Sequence, residues 1–495
     1  LIVFITVDQM RPDYFERYAS QMKGGLARLY RGGAFYTDAH QDHAITETAP
    51  GHSVTMSGRF PTHTGVVANI YGVNDDRTPM IGGGGPGASP FRFRGSVLMD
   101  WMRVKDPRSR GLSVSRKDRG AILPMGRSHE NVYWYASDGR FTTSTYYADT
   151  LPAWVKQFNA KKIPQSYALA WWNLLLPDAS YTEPDSVKWE GNGQDIVFPH
   201  PFPEDAVNTA RIFANYPSMD SLTAQFALAG VNAMNLGRGP QTDLLAVSFS
   251  STDAVGHRYG PDSREIHDQV LRLDAYLGAF IDSLYKIRDS TKIAFALTAD
   301  HGVTPNPELR AEREHVKAER VNISPLIRRY RAELGAARVD SNAVSIEEGM
   351  ISINRPAVTR AGLKPDSILA VIAADFKKVP GIARVDWVKD LGKADTTKDN
   401  VARRWLHMLP PDDPAEIVFS LNPYAYYASS SGGATHGTPN DLDSRVPVIF
   451  YGPWFVSQKF GRALVADMAP TLAAIADIEP LEKLDGRVRT EAIKK

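Results

Sequence analysis

Four short runs of the chain are apolar almost without interruption: LIVFITV (1–7), DLLAVSF (243–249), KIAFALT (292–298) and RVPVIFY (445–451). A strand with one wet face alternates apolar and polar residues. These runs do not, and they predict strands covered on both faces, as in a parallel sheet. Between the second and third, REIHDQVLRLDAYLGAFIDSLYK (264–286) sets Ile266, Val270, Leu273, Leu277, Phe280 and Leu284 at three- and four-residue steps, the stripe of an amphipathic helix. Strand, helix, strand is the unit of an α/β fold with helices on both faces of a mostly parallel sheet. ADMAPTLAAIADI (466–478) predicts a further helix on that sheet.

The pattern weakens in two places, read as insertions in a single domain spanning 1–495. The first, at about 80–200, opens on IGGGGPGASP (81–90) and carries many Trp and Tyr but few clear strands. Its GGGGPG follows no strand and precedes no Lys-Ser/Thr, so it is a plain loop, not a phosphate cradle. The second, at about 305–430, holds SIEEGMISINR (345–355), the helical DSILAVIAADFKKV (366–379) and ARVDWVKDL (383–391). That order suggests a small α+β subdomain.

Charge and cysteine narrow the chemistry. A net charge of +1 gives no electrostatic reason to expect nucleic acid or an anionic membrane as partner. The opening apolar run ends at Asp8, far short of the roughly 18–20 residues of a membrane span. The absence of cysteine removes disulfides, thiolate-bound zinc and thiol nucleophiles, leaving His and carboxylates as metal ligands. It also suits an exported protein. A chain that starts inside a strand without methionine points to a removed signal peptide and a periplasmic or secreted location.

The candidate chemistry lies where the runs end. Asp8 follows the first, Asp253 the second, and Asp300 with His301 the third. Ligands of open α/β sheets bind outside the carboxyl ends of the strands. Asp253 is followed four residues on by His257, and the fourth run is preceded by SGGATHGTP, which carries His436. Six nitrogen and oxygen donors at one sheet edge suit two zinc ions or another divalent pair. Two such ions clamp the attacking and leaving oxygens of an in-line displacement, which points to phosphoryl or sulfuryl transfer. ITETAPGHSV (45–54) offers the alcohol, with Thr46, Thr48 and Ser53 around a Pro-Gly pair. A hydroxyl there is either a helix cap or a nucleophile beside an anion-attracting helix terminus.

These segments together resemble the alkaline phosphatase superfamily, most closely its threonine-nucleophile, PafA-like branch. The matching stretches are VDQMRPDY, ETAPGHSVTMSGRFPTHTGV, STDAVGHRYGPDS, ADHGV and ATHGTP, with matches spread from residue 8 to 438. The resemblance implies that Asp253, His257 and His436 hold one zinc, and that Asp8, Asp300 and His301 hold the other together with Thr48. It implies that Thr48 attacks phosphorus to give a phosphothreonine, which water then hydrolyses. His52 and Ser53 are left as packing and capping residues, and the free N–H groups of the helix behind Thr48 are expected to help hold the phosphoryl group.

Substrate choice depends on what meets the non-bridging oxygens. RVKDPRSRGLSVSRKDR (103–119) reads on its own as a solvated basic loop. The resemblance changes this for Lys117 and Arg119, which match a Lys-x-Arg directed at phosphate oxygens, and for Asn69, which matches an amide donor. Lys117 and Arg119 favour a zinc-dependent phosphomonoesterase of broad range, a monomer whose partners are small-molecule phosphate monoesters and inorganic phosphate. The alternative is a phosphodiesterase or nucleotide pyrophosphatase of the same superfamily, since Asn69 suits both. A sulfatase would need a formylglycine precursor in a CxPxR-type signature, which is absent. A serine α/β-hydrolase would need GxSxG, which fails at Thr55.

Overall fold

The computed structural model describes residues 1–317, 319–429 and 433–495. The expected end of the second insertion, at 430, and Ser431 of SGGATHGTP lie outside the described residues.

Nine strands build the central sheet: Ile2–Val7 (β1), Ala34–His40 (β2), Gly111–Ser115 (β3), Asn131–Tyr135 (β4), Phe141–Thr142 (β5), Leu244–Phe249 (β6), Ala294–Thr298 (β7), Arg445–Tyr451 (β8) and Gln458–Leu464 (β9). They lie side by side in the order β9-β2-β8-β7-β1-β6-β3-β4-β5. The central strands β1, β6, β7, β3 and β4 run parallel. Their apolar runs are buried along their length, because helices cover both faces.

Two expectations need correction. The run 445–451 was read with the parallel strands, but β8 is antiparallel to both β7 and β2. Burial on both faces produces the same apolar run whichever way a strand points. The segment at about 80–200 supplies β3, β4 and β5 to the central sheet, so this part is integral to the fold and not inserted into it. Its strands GLSVS and NVYWY are short, and carry too little aliphatic character to stand out.

Register decides what meets at the sheet edge. Thr6 pairs with Ser248 on one side and Thr298 on the other, so β1, β6 and β7 end at one level. Because β8 runs the other way, its start lies at that same edge, and the loop before it is delivered there. The helix between β6 and β7 spans Arg264–Ile287.

A second sheet of four strands joins Val344–Glu347, Met350–Ile353, Ala415–Leu421 and Ile382–Trp387 in that spatial order, all neighbours antiparallel. It has its own apolar core, built on Ile351, Leu369, Ile372, Phe376 and Ile417. Its first two strands form a hairpin whose turn residues Glu348 and Gly349 both take positive φ, 48° and 82°. A third apolar cluster ties this sheet to the segments before Thr48 and Asn69: Met350, Trp405 and Val418 pack with Ala44, Ile45 and Val67.

Candidate dimetal active site

The edge shared by β1, β6 and β7 carries two groups whose ligand atoms lie within 4.8 Å of one another: Asp8, Asp300 and His301, and Asp253, His257 and His436. Asp8 is the residue after β1 and is tied to β6 by its N–H to Phe249 O at 2.9 Å. Asp253 sits in the first turn of the helix Ser251–Tyr259 that follows β6, and one helical turn brings His257 onto the same face, its Nε2 3.2 Å from Asp253 Oδ1. His436 arrives from the loop before β8, where its ring stacks on His301 at 3.5 Å between centroids.

The three histidines share one orientation. Nδ1 of His257 lies 3.0 Å from Ala434 O, Nδ1 of His436 2.8 Å from Thr46 O, and Nδ1 of His301 2.9 Å from Gly302 O. A carbonyl oxygen only accepts, so each Nδ1 is a donor, and in the neutral imidazole each Nε2 turns a lone pair inward. Nε2 of His257 and Nε2 of His436 face each other at 3.2 Å. Nε2 of His301 and Oδ2 of Asp300 are buried and make no hydrogen bond. Inward lone pairs beside buried carboxylate oxygens, on an all nitrogen and oxygen donor set, fit a pair of divalent cations.

The carboxylates that would attract a cation also raise the affinity of a neighbouring imidazole for a proton. Burial pulls His301 down, but the carboxylates of Asp300, Asp8 and Asp253 outweigh it and push the imidazole up to about 9. Burial and Asp253 press Asp8 upward, yet Lys117 and His301 hold it well below the usual carboxylate range. His436 is driven well below its ordinary value by burial and by the neighbouring His301 and His257. Arg116 lies 3.8 Å from Asp253 Oδ2, and Lys117 comes closer still. Its Nζ lies 2.6 Å from Asp8 Oδ2, 2.7 Å from Asp253 Oδ2 and 3.1 Å from Thr48 Oγ1. Lys117 thus spans both groups and touches the candidate nucleophile.

Thr48 is the first residue of the helix Thr48–Thr55; the cap position belongs to Glu47, and no side chain caps the helix. The Thr48 hydroxyl is therefore not a cap. The helix lies so close to the sheet edge that a Cβ on Gly51 would come within 2.1 Å of Asp300 O, which requires glycine. The first turn offers fewer free donors than expected of it. Ala49 N–H is donated to Asn69 Oδ1 at 2.9 Å, and Pro50 has none. That bond fixes the Asn69 amide with its oxygen spent and its Nδ2 donors uncommitted. Arg119 stands further off, beside the Glu47 carboxyl, with its Nε buried and without a partner. Thr46 donates to Thr438 O, and Ser53 to Pro50 O, so both are structural.

Sequence reasoning missed two residues of the site and undervalued a third. Gln9, at φ 64°, gives its N–H to Asp300 Oδ1 and its Nε2 to Asp253 Oδ1, both at 3.1 Å, and so bridges the two groups. Only its place after Asp8 could have marked it. Glu47 accepts the Asn69 N–H at 2.7 Å. His52, read as packing, lies 2.9 Å from both Thr48 O and Ser248 Oγ, with Nδ1 3.2 Å from Asp300 Oδ2.

Residues 2–439 match the family model described as type I phosphodiesterase / nucleotide pyrophosphatase. The chain belongs to that family, within the alkaline phosphatase superfamily. Its family relatives include alkaline phosphatase PhoV of Synechococcus elongatus, 31% identical over all of this chain and 93% of that protein. Alkaline phosphatase PafA of Elizabethkingia meningoseptica is 29% identical over all of this chain and 94% of its own. The crystal structure of wild-type alkaline phosphatase PafA superposes with a TM-score of 0.91 at 27% identity, covering 100% of this chain and 98% of that one. The chain is a hydrolase of alkaline phosphatase type with two candidate metal-binding groups, and its fold matches the PafA-like branch of the superfamily.

Proposed function

We propose that this protein is a zinc-dependent phosphomonoesterase that works through a phosphothreonine at Thr48. The observation that carries this reading is the position of Lys117: one ammonium bonded to Thr48 Oγ1 and to a carboxylate of each ligand group. A positive charge at the nucleophile suits a phosphate dianion, whose second negative charge a diester lacks. Zinc held by Asp253, His257 and His436, and by Asp8, Asp300 and His301, would supply the Lewis acidity that lowers the pKa of an alcohol or a water.

The chain's own groups do the rest. Thr48 Oγ1 forms a bond to phosphorus as the ester P–O bond breaks, and the proton lost by the threonine matches the one gained by the departing alcohol. Lys117 and Arg119 meet the non-bridging oxygens as point charge and planar fork, and Asn69 Nδ2 donates to another. A water then forms the second P–O bond as Thr48 Oγ1 leaves, giving inorganic phosphate and restoring the hydroxyl. Splitting one displacement into two lowers each barrier. Recognition of the phosphoryl group rather than its substituent implies a broad range of small monoesters. Export to the periplasm or medium and a monomeric state complete the reading. Among the described residues no helix is long and apolar enough to cross a membrane.

Diester hydrolysis is the second reading, because the family takes its name from phosphodiesterases and Asn69 serves either substrate. The test compares kcat/KM for an aryl phosphate monoester and the matching diester, with zinc, after chelation and after zinc is returned. The expected outcome is monoester preference, loss on chelation and recovery with zinc, with Lys117→Ala and Arg119→Ala hurting the monoester more. Preference for the diester, or full activity without metal, overturns it.

A further inference from the structure

Asp443 lies in the short helix Asp441–Ser444 just before β8, is completely buried, and ties together the loops that carry His301 and His436. Its Oδ1 accepts from Thr304 Oγ1 at 2.7 Å. Its Oδ2 accepts the Thr438 N–H at 3.0 Å and the Thr438 hydroxyl at 2.6 Å. Thr304 stands three residues after His301, and Thr438 two residues after His436. A carboxylate, with two oxygens that only accept, takes these three donors from two loops at once.

Both loops fit closely against this point. Gly302 gives its N–H to the Asp443 backbone carbonyl at 2.6 Å, and a Cβ on Gly302 would come within 2.2 Å of Leu442 O. Thr304 and Pro305 pair antiparallel with Ala434 and Thr435, so the stretch after His301 and the stretch before His436 form one ribbon. From there the bonds reach the imidazoles. His301 Nδ1 donates to Gly302 O at 2.9 Å. His436 Nδ1 donates to Thr46 O at 2.8 Å, and Thr46 Oγ1 donates to Thr438 O at 2.9 Å. The carbonyl that orients each ring is thereby anchored at Asp443: that of Gly302 directly, that of Thr46 through Thr438. The acceptor of the second ring nitrogen sets how a ligating histidine faces its metal.

We propose that Asp443 is a positioning residue for both metal groups: its carboxylate locks the two loops together, so that His301 of one group and His436 of the other present their Nε2 atoms as a unit. It belongs to neither group and makes no contact with substrate. This rests on the reading of the two groups as zinc sites.

The test is zinc retention by the folded enzyme. Zinc-loaded wild type and variants, checked for native circular dichroism, are dialysed against graded chelator, and zinc per chain is measured alongside kcat/KM for an aryl phosphate. Asp443→Ala is expected to give up zinc to about tenfold less chelator and to lose about tenfold in kcat/KM, the usual scale for a partner behind a metal ligand. Asp443→Asn is expected to recover most of both losses, since its carbonyl still accepts from Thr438 and its amide can donate to a rotated Thr304 hydroxyl. A purely structural anchor would lower thermal stability and leave the zinc retention of the folded chain unchanged. If Asp443→Ala does not fold, Thr304→Val and Thr438→Val decide, each removing one hydroxyl at nearly constant shape. Each is expected to weaken retention about threefold, the scale of one hydrogen bond. Wild-type retention in Asp443→Ala or in both valine variants, or no recovery with asparagine, overturns the inference and leaves the zinc reading standing. A wild-type enzyme that holds no zinc removes both.

Discussion

The two ligand groups reach the same edge of the sheet by different routes. Asp8, Asp300 and His301 are completely buried at the ends of neighbouring strands, where the pairing of Thr6 with Thr298 sets their level. Asp253, His257 and His436 come from a helix and a returning loop, and the His257 side chain is 40% exposed. One group is held by sheet register, which tolerates no slip without turning residues to the wrong face. The other is held by helical pitch and by carbonyls of two loops, which yield more easily. On the proposed mechanism the buried group would hold its ion and Thr48 rigidly, and the exposed one would exchange water and leaving group.

This difference has measurable consequences. Asp300→Asn removes a ligand that also anchors Gln9 and faces His52, and is expected to cost about 10³-fold or more in kcat/KM, with no recovery in excess zinc. His257→Ala is expected to cost about 10²-fold, with partial recovery in excess zinc, because its group opens to solvent. Steady-state kinetics at graded zinc separates the two, and equal recovery in both variants would erase the distinction. Lys117→Ala touches both groups and Thr48, so its loss falls between, about 10²–10³-fold, the scale of one lost charge-stabilising donor. The smallest effect is expected for Gln9→Ala. Losing the bridge between the groups should weaken zinc retention about tenfold, read by metal content after dialysis.

The same contrast shows what could be read from sequence. Asp8 stands directly after its apolar run, and Asp300 and Asp253 follow within a few residues of theirs, so the strand assignment sends them toward one edge. His257 follows from helical pitch. His436 is harder, since its loop reaches that edge only because β8 runs antiparallel, and an apolar run does not report direction. The two strands at one end of the central sheet were less legible. Ala34–His40 and Gln458–Leu464 mix polar and apolar residues, the latter mostly exposed, so neither shows the uninterrupted run of a covered strand. Residues such as Gln9 and Glu47 had no pattern to betray them. Their roles come from hydrogen bonds to partners far away in the chain, a property of the folded arrangement and not of local spacing.

Thr48 is where the account is most exposed. Its Oγ1 has Lys117 as partner, its helix is pressed onto Asp300, and the next peptide N–H, that of Ala49, is already committed to Asn69. Acid quenching of the zinc-loaded enzyme during turnover of an aryl phosphate, followed by mass spectrometry of the peptide holding residues 45–54, tests it directly. The account predicts phosphate on Thr48, absent in Thr48→Ala and absent when the substrate is omitted. Phosphate on Thr46, on Ser53 or on no residue of a catalytically competent enzyme would contradict it.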